Sequence, residues 1–311
     1  MELLFLGTGA GLPSKARNVT SIALSLLQEI NEIWMFDCGE ATQHQILRTS
    51  IKPGKISRIF ITHMHGDHVF GLPGFLSSRS FQGGSDRLTI YGPKGIKAYV
   101  ETALALSETH LTYPLTIQEI TEGNVLDEPA FAVDCKILDH GVQSFGFRIM
   151  EKAKLGELQV DKLKTIGISP GPIYQQIKSQ ETTELPDGRY IERKDFIGPD
   201  KPGRIISIMG DTRNPDKQMD FVKDSDVLVH EATFEQDKQQ LAKAYFHTTT
   251  AQAAELAKHA GVKQLILTHI SSRYQEEDNA RLLAEARHIF PNTWLAHDFY
   301  HFQIQSKTLQ E

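Results

Sequence analysis

Three imidazoles and one carboxylate fall within six residues in His63-Met64-His65-Gly66-Asp67-His68, straight after the apolar run Ile59-Phe60-Ile61. Imidazole and carboxylate are the donors that suit zinc and similar divalent ions. His63 and His65 are two apart, so an extended backbone points both the same way. Gly66 permits a sharp turn that lets Asp67 and His68 face a second ion. One turn rarely fills a two-metal site, so further donors are expected at other strand ends, as an apolar run followed by His or Asp and a small residue. Cys135–Gly141 offers His140, Ile205–Thr212 offers Asp211, and Leu265–Ser271 offers His269. Coordination counts then assign His63, His65 and His140 to a first ion and Asp67, His68 and His269 to a second. Asp211 bridges them with its two oxygens. Two ions about 3.5–4 Å apart activate a water near neutral pH, which is the chemistry of hydrolysis. The histidine-rich set favours zinc, although manganese or iron also suits such donors.

These donors must be held by strand ends. Short β-branched or aromatic runs predict strands at Leu3–Leu6, Ile22–Leu26, Ile33–Phe36, Ile59–Thr62 and Leu88–Tyr91. Others follow at Ala132–Ile137, Ser144–Ile149, Ile205–Met209, Val227–Glu231, Gln264–Leu267 and Thr293–Ala296. Helical periodicity marks Ala41–Arg48, Ile96–Leu106, Thr250–Ala260 and Glu276–Ile289. Strands alternate with helices, an α/β pattern in which chemistry gathers at the carboxyl ends of strands. One stretch departs from it. Residues 151–203 gain five prolines and many lysines and arginines, balanced by acids so that the net charge is small. From composition alone, this insertion is either a solvated loop or an arm for a polymeric substrate.

The 311 residues allow one large domain or two modest ones, and the formal net charge of −6 argues against broad, unspecific nucleic-acid binding. A local basic patch, or metal ions that attract a phosphate, remains compatible with it. No apolar stretch is long enough to span a bilayer, so no membrane partner is expected. Met1–Leu6 lacks a basic start and runs into Gly7-Thr8-Gly9, so it reads as a first strand. Cys38 and Cys135 cannot make a disulfide framework; as buried free thiols they fit a cytoplasmic setting.

The chain resembles the metallo-β-lactamase superfamily. His63–His68 matches its HxHxDH motif, and His140, Asp211 and His269 stand in its later ligand positions in order. The resemblance implies an α/β fold, the αβ/βα four-layer sandwich, with Asp37 at the end of an early strand supporting the site. A closer resemblance, over essentially the whole chain, is to the ribonuclease Z family, which matures the 3′ ends of tRNA. Pro13-Ser14-Lys15-Ala16-Arg17-Asn18 matches its PxKxRN loop and His230-Glu231-Ala232-Thr233 its HEAT motif. His247-Thr248-Thr249 stands where the family has HST, and Ser271-Ser272-Arg273-Tyr274 follows the last ligand.

The resemblance implies one metallo-β-lactamase-type domain over residues 1–311, with residues 151–203 as a flexible, protruding tRNA-binding arm around Gly171-Pro172. It also implies a cytoplasmic homodimer with two zinc ions per subunit, acting on precursor tRNA to leave a 3′-hydroxyl on the tRNA and a 5′-phosphate on the trailer. Lys15, Arg17, Asn18, Thr248 and Arg273 are the expected substrate-binding residues, Arg with its bidentate fork and Lys as a point charge. His247 beside Glu231 would stay protonated and donate to the leaving oxygen, and Asp67 could take the water's proton as well as bind metal. Two other classes share parts of this pattern. A small-ester hydrolase or phosphodiesterase on the same metal site would need no arm. A non-catalytic RNA-binding relative would lack the metal motif, whereas here all seven ligands are present.

Overall fold

The structure, a computed structural model, describes residues 1–307. The chain forms two compact units, Met1–Met150 with Ile205–Gln305, and Glu151–Arg204 with Ser306 and Lys307.

The larger unit is built on two seven-stranded sheets. In spatial order the first contains His301–Gln303, Glu2–Gly7, Ser21–Leu26, Glu32–Phe36, Ile56–Phe60, Leu88–Gly92 and Leu115–Glu119. The second contains Thr293–Leu295, Leu265–Thr268, Val227–Glu231, Ile205–Met209, Ser144–Glu151, Phe131–Leu138 and Gly123–Asp127. The last four strands of the first sheet run parallel, as do the first four of the second. Parallel strands align their carboxyl ends, and the ligand-bearing loops leave from those ends.

Strand alternation sorts the apolar residues into layers. Val227 and Val229 face the other sheet beside Trp34, Phe36, Phe60, Phe131 and Phe147. Leu228 faces outward, where Ala253, Ala254 and Ala257 of helix Thr250–His259 and Leu282 of helix Asn279–Ile289 cover it. On the first sheet Met35, Ile59 and Ile90 are covered by Phe75 and Leu76 of helix Leu72–Phe81 and by Ile96 and Val100 of helix Ile96–Leu106. The result is helix, sheet, sheet, helix, the four-layer αβ/βα sandwich.

Phe60 ends the strand that leads into the histidine run. Its ring stacks on Phe36 and Tyr91 with centroids 5.0 Å away in each case, and meets Phe147 of the second sheet at 5.3 Å. Phe60→Ala should cost about 3–5 kcal/mol of stability, because the cavity lies between two rigid sheets. A denaturant midpoint within error of the unmodified protein would show that the sheets close over the gap.

In the smaller unit, helices Val160–Thr165 and Pro172–Ser179 and the hairpin of Thr182–Glu184 with Tyr190–Glu192 enclose Leu163, Ile168, Ile177 and Leu185. These few apolar residues give the insertion its own core. At its base Arg204 grips Glu151 with two bonds, Nε to Oε2 at 2.7 Å and the second guanidinium nitrogen to Oε1 at 3.0 Å. Burial opposes ionisation there, yet Arg204 and Lys154 hold the Glu151 carboxyl down at about 2. Several of the unit's cations have acidic neighbours: Lys164 with Asp161 at 3.5 Å, Arg189 with Asp187 at 2.7 Å and Lys201 with Glu157 at 2.5 Å. Residues 151–203 carry nine cations and nine acids, so their formal net charge is zero.

Candidate active site

The seven expected ligands converge from both sheets. His63 follows the strand Ile56–Phe60, and Asp67 and His68 lie in the single helical turn Gly66–Val69. His140, Asp211 and His269 follow the strands Phe131–Leu138, Ile205–Met209 and Leu265–Thr268. The sheets meet at this edge, where the Phe145 N–H donates to the Thr62 carbonyl at 2.9 Å.

Two sets of donor atoms result. His65 Nδ1 lies 3.1 Å from His63 Nε2 and 3.3 Å from His140 Nε2. Nitrogens about 2.0–2.1 Å from one tetrahedral ion are about 3.3 Å apart, so these three fit the corners of such a shell. Asp67 Oδ2 lies 3.4 Å from both His68 Nε2 and His269 Nε2, which form the second set. Asp211 Oδ2 stands between the sets, 3.7 Å from His63, 4.0 Å from His140, 3.6 Å from His68 and 3.4 Å from His269, in each case to Nε2. His68 Nε2 is buried without a hydrogen-bond partner. An orphaned imidazole nitrogen aimed at carboxylates is what a metal ligand looks like before its ion is considered.

Neighbouring groups fix which nitrogen faces inward. Asp37 Oδ2 accepts a hydrogen bond from His68 Nδ1–H at 2.7 Å, and the Phe246 carbonyl accepts one from His140 Nδ1–H at 3.0 Å. A carboxylate and a carbonyl only accept, so each ring keeps a bare Nε2. Two hydroxyls do the same work. Thr62 Oγ1 donates to Asp37 Oδ2 at 2.8 Å and so accepts from His63 Nδ1 at 3.0 Å. Thr233 Oγ1 donates to Glu231 Oε2 at 2.6 Å and accepts from His269 Nδ1 at 3.0 Å. Asp37 was expected as a support; Thr62, Thr233 and Phe246 were not. The signal for the first two was a threonine adjoining the histidine run and another closing the HEAT motif.

The carboxylates around His68 favour positive charge there: burial opposes it, but Asp37, Asp211 and Asp67 outweigh burial and raise its pKa well above the ordinary value. A metal ion at Nε2 would displace that proton and leave the neutral ring described above. Burial dominates at His63 and, with the charge on His68, holds it well below. Burial also works against ionisation of Asp67, but His68 and His269 keep its carboxyl far below the usual range. The Gly11 N–H adds a bond to Asp67 Oδ2 at 2.8 Å. Such a carboxylate is a good ligand and a weak base.

His247 stands beside the second set, its Nδ1 3.0 Å from Glu231 Oε1 and 3.9 Å from Asp211 Oδ2. Burial lowers its pKa, but Glu231 and then Asp211 raise it to about 9. Glu231 is fully buried and kept ionised by His247 against the cost of burial. With Nδ1 given to Glu231, the His247 Nε2–H is available to substrate.

The expected substrate-binding residues divide. Lys15 and Arg273 are exposed, and the Arg273 guanidinium lies 4.9 Å over the Phe234 ring. Arg17 is only 6% exposed and spends its guanidinium on Thr8 Oγ1, Ala296 O and Asn279 Oδ1 at 2.7, 2.7 and 2.9 Å. Thr248 is buried and donates to the Thr212 carbonyl at 2.6 Å. Asn18 donates from Nδ2 to the Glu40 carbonyl at 2.8 Å and from its backbone to Asp298 at 2.7 Å. These three therefore brace the loops that carry Lys15 and His247. Beside the first loop a cavity of about 480 Å³ is lined by Lys15, Asn18, Arg48, His297 and Phe299 among others.

Two sheets flanked by helices, with histidines and aspartates converging at one edge, define the metallo-β-lactamase fold. The structure of the metallo-β-lactamase fold protein YhfI from Bacillus subtilis is similar, with a TM-score of 0.66, 18% identity, and coverage of 97% of this chain and 98% of that one. The family described as Anti-Pycsar protein Apyc1 matches residues 1–130, less than half of the chain. The ribonuclease Z of Oceanobacillus iheyensis is 62% identical over 98% of this chain and 100% of its own length. Human tRNase Z, short form, has a TM-score of 0.71 and 30% identity, covering 98% of this chain and all of that one. The chain belongs to the ribonuclease Z family, the endoribonucleases that process tRNA 3′ ends. Among the described residues no helix is long and apolar enough to cross a membrane.

Proposed function

We propose that this chain removes the 3′ trailer from precursor tRNA with two zinc ions per subunit. The observation that carries this reading is the ionised His247–Glu231 pair set against the two converging donor sets. His63, His65 and His140 would hold one ion, Asp67, His68 and His269 the other, and Asp211 would serve both. When bound, the ions supply Lewis acidity: they offset phosphate charge and make water nucleophilic near neutral pH. The protein supplies the rest. Exposed Lys15 and Arg273 hold backbone phosphates, while Arg17, Asn18 and Thr248 keep the loops in place. Water attacks phosphorus, the bond to the ribose 3′ oxygen breaks, and His247 Nε2 protonates that oxygen while Glu231 orients the ring. The tRNA keeps a 3′-hydroxyl and the trailer a 5′-phosphate. Asp67 would take the water's proton in this reading, although its low pKa favours the ligand role.

The folded insertion at residues 151–203 is the proposed tRNA-binding arm, and family resemblance supports a homodimer in which one subunit's arm serves the other's site. A cytoplasmic setting is supported by the substrate and by the two buried free thiols. The test is incubation of the purified protein with a 3′-extended precursor tRNA, with and without chelator. Metal-dependent cutting at the base of the acceptor stem is expected. Cleavage of small esters alone would move the chain to another hydrolase of this fold.

A further inference from the structure

Three loops of the site are joined by one arginine outside both donor sets. Arg213 lies two residues after Asp211. Its backbone N–H donates to the Asp139 carbonyl at 2.9 Å and its Nε to Asp139 Oδ1 at 3.1 Å, tying the Asp211 loop to the residue before His140. One terminal guanidinium nitrogen reaches the Lys243 carbonyl at 3.4 Å, and the guanidinium carbon sits 3.9 Å from the centre of the Phe246 ring. Phe246 immediately precedes His247. It has φ +61°, a left-handed conformation that a bulky residue adopts only when held there. From that conformation its carbonyl accepts the His140 Nδ1–H at 3.0 Å, and the His140 and His247 rings lie 5.4 Å apart.

We propose that Arg213 is a positioning residue for the reaction: by clamping Phe246 between its guanidinium and His140, it sets where His247 stands relative to the donor sets. A planar cation suits this task. It covers an aromatic face and still donates in its own plane to Asp139 and Lys243, which an ammonium cannot do. Asp139 is in turn fixed by Asn214 Nδ2 at 2.9 Å and Lys217 Nζ at 3.1 Å, so the clamp has a rigid anchor. The inference rests on the reading of His247 as the proton donor.

The experiment uses zinc-loaded enzyme and precursor tRNA, with Arg213→Ala, Arg213→Lys, His247→Ala and the Arg213→Ala/His247→Ala pair. A displacement near 1 Å can cost about 10²-fold in rate, so Arg213→Ala should lower kcat about 10–100-fold. KM should stay within about twofold, as Arg213 touches no substrate in this reading, and zinc per chain should match the unmodified enzyme. Arg213→Lys should not rescue. In the His247→Ala background the same change should lower kcat no further, since the group being positioned is gone. Unchanged kcat, a rise in KM alone, loss of zinc, or a fully additive double variant would each overturn the proposal. If Arg213→Ala does not fold, Asp139→Asn, which loosens the same anchor, should lower kcat with zinc and KM unchanged; unchanged kcat there would also overturn it. If His247→Ala itself turns over normally, it is the proton-donor reading that fails.

Discussion

Asp211→Ala should strip metal and activity together. One carboxylate oxygen, Asp211 Oδ2, lies within 4.0 Å of the Nε2 atoms of His63, His68, His140 and His269. Its removal leaves four buried or half-buried imidazoles with no central negative charge and takes a donor from both sets. Loss of a group that merely orients a ligand costs about 10–100-fold in affinity or activity. Loss of a shared ligand should exceed that, so zinc per chain should fall well below two and turnover by more than about 100-fold. Asp37→Ala, which frees His68 Nδ1 and the Thr62 hydroxyl, provides the comparison and should fall within the smaller range. Atomic absorption on dialysed protein reads the first quantity directly. Full zinc occupancy in Asp211→Ala would remove its bridging role.

The second large effect separates chemistry from metal. His247→Ala should lower kcat by about 10²–10⁴-fold, the usual contribution of a general acid, with zinc content intact. Glu231→Gln provides the pH signature. A proton donor must be protonated, so activity falls as pH rises through its pKa. Burial lowers that pKa, and the Glu231 charge at 3.0 Å is the leading cause that raises it to about 9. Without that charge the pKa drops, and the alkaline limb of the kcat profile should move to lower pH. A limb that stays in place would mean another group sets it.

Much of this site was legible because its ligands follow strands whose apolar runs are unmistakable. Ile205–Met209 and Val227–Glu231 were read with the bounds they have, and Thr249 caps its helix through reciprocal bonds with Gln252. Strand Ile56–Phe60 lies earlier than Ile59–Thr62, because Thr62 spends its backbone N–H on Asp37 at 2.7 Å instead of on a ladder. Helix Leu72–Phe81 was missed. Its serines and Gly74 are poor helix formers, and only burial of Leu72, Phe75, Leu76 and Arg79 along one face sustains it. Arg17 shows the limit most clearly. A basic residue in a loop reads as a phosphate ligand, and nothing local reveals that Thr8, Ala296 and Asn279 will surround it. Ala296 and Asn279 are distant in sequence, as are Phe246 from His140 and Thr233 from His269. Long-range closure is the part of a site that a single sequence hides.

The division of the ligands between the sheets bears on the making of the enzyme. His63, His65, Asp67 and His68 come from the first sheet, and neither set is complete without a residue of the second. A polypeptide interrupted anywhere before His269 lacks the second set, and one interrupted before His140 lacks both, however well its first sheet has formed. On this assignment a two-ion site, and the nuclease activity that would rest on it, requires the chain as far as His269. For a protein that cuts RNA and is itself translated among RNAs, the architecture serves as a safeguard: the capacity to cut follows from finishing the fold.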